Sequence, residues 1–103
     1  MARSVKCPVA TTLDLVGDKW TLLVVRDLLR GRSRFSELRD SVEGIPPAVL
    51  SRRLKDLEAA GVLVRRLYND HPARYAYQLT AKGHGLGVVV GALADFGEQH
   101  AES

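Results

Sequence analysis

At 103 residues, the chain has room for one small core and not for two. Its 46% hydrophobic and 26% charged residues exclude a disordered polymer, and no apolar run reaches membrane-span length. A single cysteine rules out an internal disulfide framework, and His71, His84 and His100 have no spacing that suggests a metal site.

The N-terminus lacks the apolar core of a signal peptide, so a cytoplasmic protein without metal or cofactor is expected. The formal net charge of +3 understates a local asymmetry. Most arginines lie between Arg26 and Arg74, and beyond Gly83 the only charged side chains are Asp95, Glu98 and Glu102. A basic middle with an acidic end suggests that the middle meets a polyanion.

In chain order, Pro8 suits a helix start, and Val9, Leu13 and Val16 follow at i, i+4 and i+7 before Gly17 stops the helix. Asp18 can cap a second helix, Lys19–Arg30, whose buried side is Trp20, Leu23, Val24, Leu28 and Leu29. Residues 32–34 form a connection able to hold a short strand. After Phe35 a short third helix turns Leu38 and Val42 inward, and Glu43-Gly44 makes a turn before Ile45, which should plug the gap between helices.

The stretch Ile45–Gly61, I-P-P-A-V-L-S-R-R-L-K-D-L-E-A-A-G, carries the strongest pattern. Pro47 can open a helix and Gly61 can close it in the left-handed conformation. Leu50, Leu54 and Leu57 form an apolar stripe at helical period. At 100° per residue Ala48, Arg52 and Lys55 fall on the opposite face, with Val49, Ser51 and Asp56 at its margins. Small residues mixed with long cations suit a helix whose backbone must approach a polyanion. Short helix, Gly-containing turn and cationic helix together make a helix-turn-helix over about 35–60.

Past Gly61 the period changes. Val62–Tyr68 and Arg74–Leu79 read as strands around the turn-forming N-D-H-P-A, a hairpin over about 62–79. Thr80 can cap a last helix over about 81–99, with Leu86, Val89, Val90, Leu93 and Phe96 on one side. The fold class expected is α+β, mostly α: one winged helix-turn-helix domain over 1–103, with a two-stranded hairpin wing and dimerisation helices at both ends. The apolar stripes Val9/Leu13/Val16 and Leu86/Val89/Val90/Leu93 exceed what one small core needs, which points to a two-fold dimer.

The sequence resembles the HxlR-type winged helix-turn-helix regulators of bacteria and archaea. The resemblance runs from Cys7 to about His100. It rests on C-P-V at Cys7–Val9, L-V-G-D-K-W-T at Leu15–Thr21, R-F-S-E-L at Arg34–Leu38, the whole Ile45–Gly61 block, Y-Q-L-T-A-K-G at Tyr77–Gly83, and Phe96-Gly97. It implies a homodimeric transcription factor binding a pseudo-palindromic operator in double-stranded DNA. The helix matching 47–60 would enter the major groove, and the hairpin would lie on adjacent backbone or minor groove. Two positions depart from the family pattern. Pro46 stands where a capping Ser or Thr is usual, and Phe96 where Trp is usual.

For DNA contact the candidates are Pro47, Ala48, Val49, Ser51, Arg52, Arg53 and Lys55 on the helix. Ala48 and Val49 can meet a thymine methyl, Ser51 and Arg52 base edges or phosphates, and Lys55 a phosphate. Arg53 sits nearer the apolar side, where an ion pair with Glu37 or Asp56 is an equal alternative. Arg34 and Ser36 can clamp phosphates. Arg65, Arg66, His71 and Arg74 line the hairpin, and a regular strand cannot point Arg65 and Arg66 the same way. In a subgroup of the family the cysteine matching Cys7 is a redox or electrophile sensor. The helix dipole, with Arg3 and Lys6, would favour a thiolate there; packing alone is the alternative. Trp20 is expected in the core or a dimer interface.

Two other classes compete. A winged helix can serve as a protein-interaction module without specific DNA binding, a reading the cationic face opposes. An enzyme is not expected, because the sequence offers no nucleophile–base pair, paired carboxylates or phosphate-cradling loop.

Overall fold

The computed structural model describes residues 7–101. Arg3 and Lys6, expected to act on Cys7, lie outside the described residues. In chain order the elements are α1 (Pro8–Val16), α2 (Thr21–Leu29), α3 (Phe35–Ser41), α4 (Pro47–Ala59), β1 (Leu63–Asp70), β2 (Ala73–Leu79), α5 (Ala81–His84) and α6 (Gly87–His100). This is the mostly helical winged helix-turn-helix expected from the sequence. Among the described residues no helix is long and apolar enough to cross a membrane.

The core gathers one side of α2, α3 and α4 and the base of the hairpin. Val24, Val25 and Leu28 of α2, Leu38 of α3, and Leu50, Leu54 and Leu57 of α4 meet Val62, Leu63 and Leu79 at the base of the hairpin. Val42 and Ile45 close the corner between α3 and α4, so Ile45 does plug the gap. Burying Leu or Val side chains of this kind stabilises by about 1.5–3 kcal/mol each before the entropy of ordering them is charged.

Local chemistry explains the ends of α4. Pro46 holds an extended φ/ψ of −65°/140° and its carbonyl accepts the Leu50 N–H at 3.0 Å, so two prolines set the entry without a side-chain cap. At the far end Gly61 adopts φ +77°. This lets the Gly61 N–H reach the Glu58 carbonyl and the Val62 N–H the Leu57 carbonyl, a Schellman closure that turns the chain directly into β1.

The structure moves several expected boundaries. Helix α2 starts at Thr21 rather than Lys19, because the Asp18 carboxylate accepts the N–H groups of both Trp20 and Thr21 and holds the chain outside the helix for two further residues. The hairpin turn is tighter than the N-D-H-P-A cluster suggested: Asn69 pairs with Arg74 and Asp70 with Ala73, leaving His71 and Pro72 as the tip. A bulge between Leu67 and Asn69 absorbs the extra residue, Tyr68. The connection before α3 does form a short strand contact, bridging Arg34 to Ala76, with the Tyr77 N–H donating to the Ser33 carbonyl at 2.7 Å.

The expected single C-terminal helix is split. Thr80 caps α5 as anticipated, its Oγ1 accepting the Gly83 N–H, but the helix stops at His84. Gly83 is packed so tightly that a Cβ there would collide with the Val62 carbonyl and lie 2.8 Å from Leu79 Cδ2. The chain then passes through Gly85 and Leu86 before α6 begins.

One buried group was not singled out from the sequence. Asp27 on α2 is 2% exposed. It accepts bonds from Arg26 Nε (3.1 Å) and Nη2 (3.2 Å) and from Ser41 Oγ (2.8 Å), with Arg30 Nη1 at 3.6 Å. Burial pushes its carboxyl pKa up, but the bonds from Arg26 and Ser41 and the charges of Arg26 and Arg30 outweigh burial and hold it below the ordinary value. Asp27 therefore ties α2 to the last residue of α3. Its folded pKa lies below the unfolded one, so the stabilisation is complete above an unfolded value of about 3.9 and is lost as pH falls through the folded value. We expect Asp27→Asn to lower the urea-unfolding free energy by about 1–3 kcal/mol at neutral pH. That difference should shrink below about pH 4. A difference independent of pH down to the acid transition would show that the carboxylate is not the stabilising form.

Candidate nucleic-acid interface

The outward face of α4 follows from the inward one. With Leu50, Leu54 and Leu57 in the core, Ala48, Arg52 and Lys55 are exposed, with Ser51 half-buried beside them. Ala48, Ser51, Arg52, Lys55 and Asp56 line one shallow hollow open to solvent. Among the described residues neither Arg52 nor Lys55 is held in an ion pair. Pro47 is exposed at the first turn, whereas Val49 is half-buried and packs against the core. Val49 thus belongs more to the packing than to the outer face.

Arg53 takes the structural alternative. Its side chain is 24% exposed, with Nη1 3.4 Å from Asp18 Oδ2 and Nη2 3.4 Å from Asp56 Oδ2. Asp56 was one of the two partners expected. Glu37 is not a partner, because its Oε1 accepts the N–H groups of Ser33 and Arg34 and caps α3. Those two backbone bonds are also what hold the Glu37 pKa below its ordinary value. For Asp18, burial raises the pKa, but the Thr21 hydroxyl, the Trp20 and Thr21 N–H groups and Arg53 outweigh it and hold the carboxyl low. A permanent carboxylate at Asp18 keeps Arg53 turned toward the body.

A second basic group collects where α3 meets the hairpin. Arg34, Ser36 and Arg74 line one cleft together with Tyr68, Tyr75 and Tyr77. The Arg34 guanidinium lies 4.4 Å from the centre of the Tyr68 ring. Such a stack is worth about 0.5–1 kcal/mol at an exposed site and holds a flexible arginine in one direction. Tyr68 is the residue at the bulge, and a bulge commonly re-aims a side chain this way. The tyrosines were not among the residues singled out from the sequence. Exposed aromatics interleaved with arginines were the available signal.

Along the hairpin, Arg65 and Arg66 point to opposite faces as strand geometry requires. Arg65 Nε lies 3.3 Å from Glu58 Oε2 on α4, with its guanidinium 4.6 Å from the Tyr75 ring centre. Arg66 Nε donates to Gln78 Oε1 at 2.6 Å and stays exposed. Desolvation raises the Tyr77 pKa against the opposing charge of Arg65. His71 is exposed at the tip and Arg74 exposed beside it.

Cys7 is exposed and sits at the N-cap of α1, its Sγ accepting the Ala10 N–H at 3.3 Å. Trp20 is half-buried against the core, with Lys19 Nζ 4.6 Å from its ring centre. Among the described residues no group of His, Cys, Asp or Glu is arranged to hold a metal ion.

Comparison with known proteins assigns this architecture. The family model for the HxlR-like helix-turn-helix matches residues 15–103. The HTH-type transcriptional regulator YdeP of Bacillus subtilis is 36% identical over 96 residues, covering 93% of this chain and 75% of YdeP. Among solved structures, the redox regulator HypR in its reduced form superposes with a TM-score of 0.83 at 33% identity, over 90% of this chain and 92% of HypR. The reduced form of the transcriptional regulator YodB from B. subtilis gives 0.77 at 29% identity, over 95% of this chain and 97% of YodB. The chain belongs to the HxlR-like helix-turn-helix family of transcriptional regulators.

Proposed function

We propose that the chain acts as a homodimer on a pseudo-palindromic operator, with α4 in the major groove and the β1–β2 hairpin on the adjacent backbone or minor groove. The observation that carries this reading is the outer face of α4. Small residues (Ala48, Ser51) there flank two cations with no partner among the described residues (Arg52, Lys55). That combination allows close approach of the helix and leaves the charges for phosphate or guanine. Arg34, braced by Tyr68, together with Ser36 and Arg74, supplies a second anchor beside it. Arg66 and His71 stand along the hairpin within reach of the flanking backbone. Arg53 and Arg65, each paired with a carboxylate, support α4 and the wing rather than leading the contact.

Dimerisation is supported by apolar side chains the core leaves uncovered. Val9 and Leu13 on α1 are 67% and 56% exposed, and Val88, Leu93 and Phe96 on α6 are 80%, 53% and 66% exposed. Val16 is in the core, and Leu86 and Val90 pack against it, so the surface available to a partner is narrower than the full stripes expected from the sequence. An isologous pairing through α1 and α6 would cover these residues on both copies at once.

Regulation through Cys7 is the finer part of the proposal. Its thiol is exposed at the start of a helix that would belong to the dimer, and HypR is a redox regulator. Oxidation would join the two Cys7 residues of a dimer: hydrogen peroxide accepts two electrons and two protons from two thiols, forming one disulfide and two waters. This requires the two Cα atoms to approach within about 7 Å.

Two outcomes are expected. Arg52→Ala and Lys55→Ala should each weaken operator binding, and a lost phosphate contact should also flatten the log–log salt dependence by about one unit of slope. Variants that bind like the parent would remove α4 as the reader and favour a protein-interaction module. Peroxide should convert wild type, and not Cys7→Ser, to a disulfide-linked dimer on a non-reducing gel with altered operator affinity. An equal response from both proteins would leave Cys7 as a helix cap only.

A further inference from the structure

A cavity of about 360 Å³ lies between α1, the end of α4 and the α5–α6 junction. Its walls are mostly apolar, formed by Leu15 of α1, Ala60 and Val62 at the junction of α4 with β1, and Leu86 before α6. Thr11 and Thr12 add hydroxyls, and the single charged side chain in the lining is Lys82. A volume in the low part of the roughly 300–1,000 Å³ range of ligand pockets, apolar walls and one fixed charge are the usual features of a small-molecule site.

We propose that this cavity binds a small, mostly apolar monocarboxylate, with the carboxylate on Lys82 and the hydrocarbon against Leu15, Val62 and Leu86. Lys82 Nζ already donates to the Ala60 carbonyl at 2.7 Å, which fixes its position. An ammonium has three donors, so two remain for an anion. The hydroxyls of Thr11 and Thr12 donate to the carbonyls of Cys7 and Pro8, leaving their oxygens to accept. A hydroxyl on the ligand would therefore add affinity, and a cationic ligand would be repelled.

The site lies largely apart from the surface proposed for dimerisation. At 100° per residue, Thr11 and Leu15 lie roughly 160–240° around α1 from Val9 and Leu13, while Thr12, about 60° from Val9, stands at the border between the two faces. One face of the helix can meet a second copy while the other lines the cavity. The location also gives the ligand a consequence. Lys82 holds the C-terminal carbonyl of α4, and the Thr80 hydroxyl donates to the Gly61 carbonyl at 2.6 Å. A carboxylate drawing on Lys82 would therefore act on the end of the reading helix and on α1 together. This consequence rests on the proposed DNA-binding role; the existence of the site does not.

The test uses the full ¹⁵N-labelled chain without DNA, titrated with benzoate, 4-hydroxybenzoate and the neutral isostere benzamide. Saturable amide shifts centred on Thr11, Thr12, Gly85 and Leu86 are expected with both acids, 4-hydroxybenzoate binding more tightly and benzamide at least about tenfold more weakly. Lys82→Gln should lose at least about tenfold for the acids and little for benzamide. Leu15→Phe should fill the cavity and abolish binding; should that variant not fold by circular dichroism, Lys82→Gln and benzamide still decide. Absence of saturation at millimolar acid, shifts centred on Ala48–Lys55, or equal binding by Lys82→Gln would overturn the proposal. So would cavity amides that respond to protein concentration and not to acid, since a second copy would then occupy it. Failure of the DNA-binding reading would appear separately, as ligand-free protein that binds no operator.

Discussion

The cationic outer face of α4 depends on how the Leu50–Leu54–Leu57 stripe is seated. These three side chains are at most 2% exposed and pack against residues of α2, α3 and the hairpin base. A helix held on one face by close packing cannot roll without opening voids, and deleting one such leucine costs about 2–5 kcal/mol. That seat is what turns Ala48, Arg52 and Lys55 outward. The two prolines at the start and Gly61 at the end then fix where the helix begins and how the wing leaves it. The basic surface is therefore a consequence of the core.

Charge on this surface is sorted by carboxylates. Arg53 is drawn inward by Asp18 and Asp56, Arg65 by Glu58, and Arg26 and Arg30 by the buried Asp27. Arg52 and Lys55 stay without an ion pair along α4, and Arg34, braced by Tyr68, lines the cleft between α3 and the hairpin together with Arg74. Net charge alone could not have distinguished these groups, because it counts a tethered guanidinium and a free one alike.

Much of the fold was legible in the sequence because its signals are local. The Leu50/Leu54/Leu57 period, the prolines, Gly61 and the Thr80 cap each act within a turn or two of chain, and each is found where expected. The helix-turn-helix and the inward direction of Leu38, Val42 and Ile45 followed from the same patterns. What was not legible depends on distant residues. The break between α5 and α6 falls at Gly85–Leu86, just past Gly83, which is pressed against Val62 some twenty positions earlier. Asp27 reads as an ordinary helix-surface acid until Ser41 meets it. The bracing of Arg34 by Tyr68 requires a bulge whose position no propensity reveals. The partner of Arg53 was half legible: Asp56 is one turn away on the same helix, Asp18 is on another element.

The central claim is that two copies of α4 read DNA together. Hydroxyl-radical footprinting on fragments selected from genomic DNA tests it most directly. Two recognition helices about 34–36 Å apart should protect two windows on one face of the duplex, centred roughly 10 base pairs apart, with a two-fold related sequence beneath them. A single protected window, or uniform protection without a shared sequence, would contradict the account.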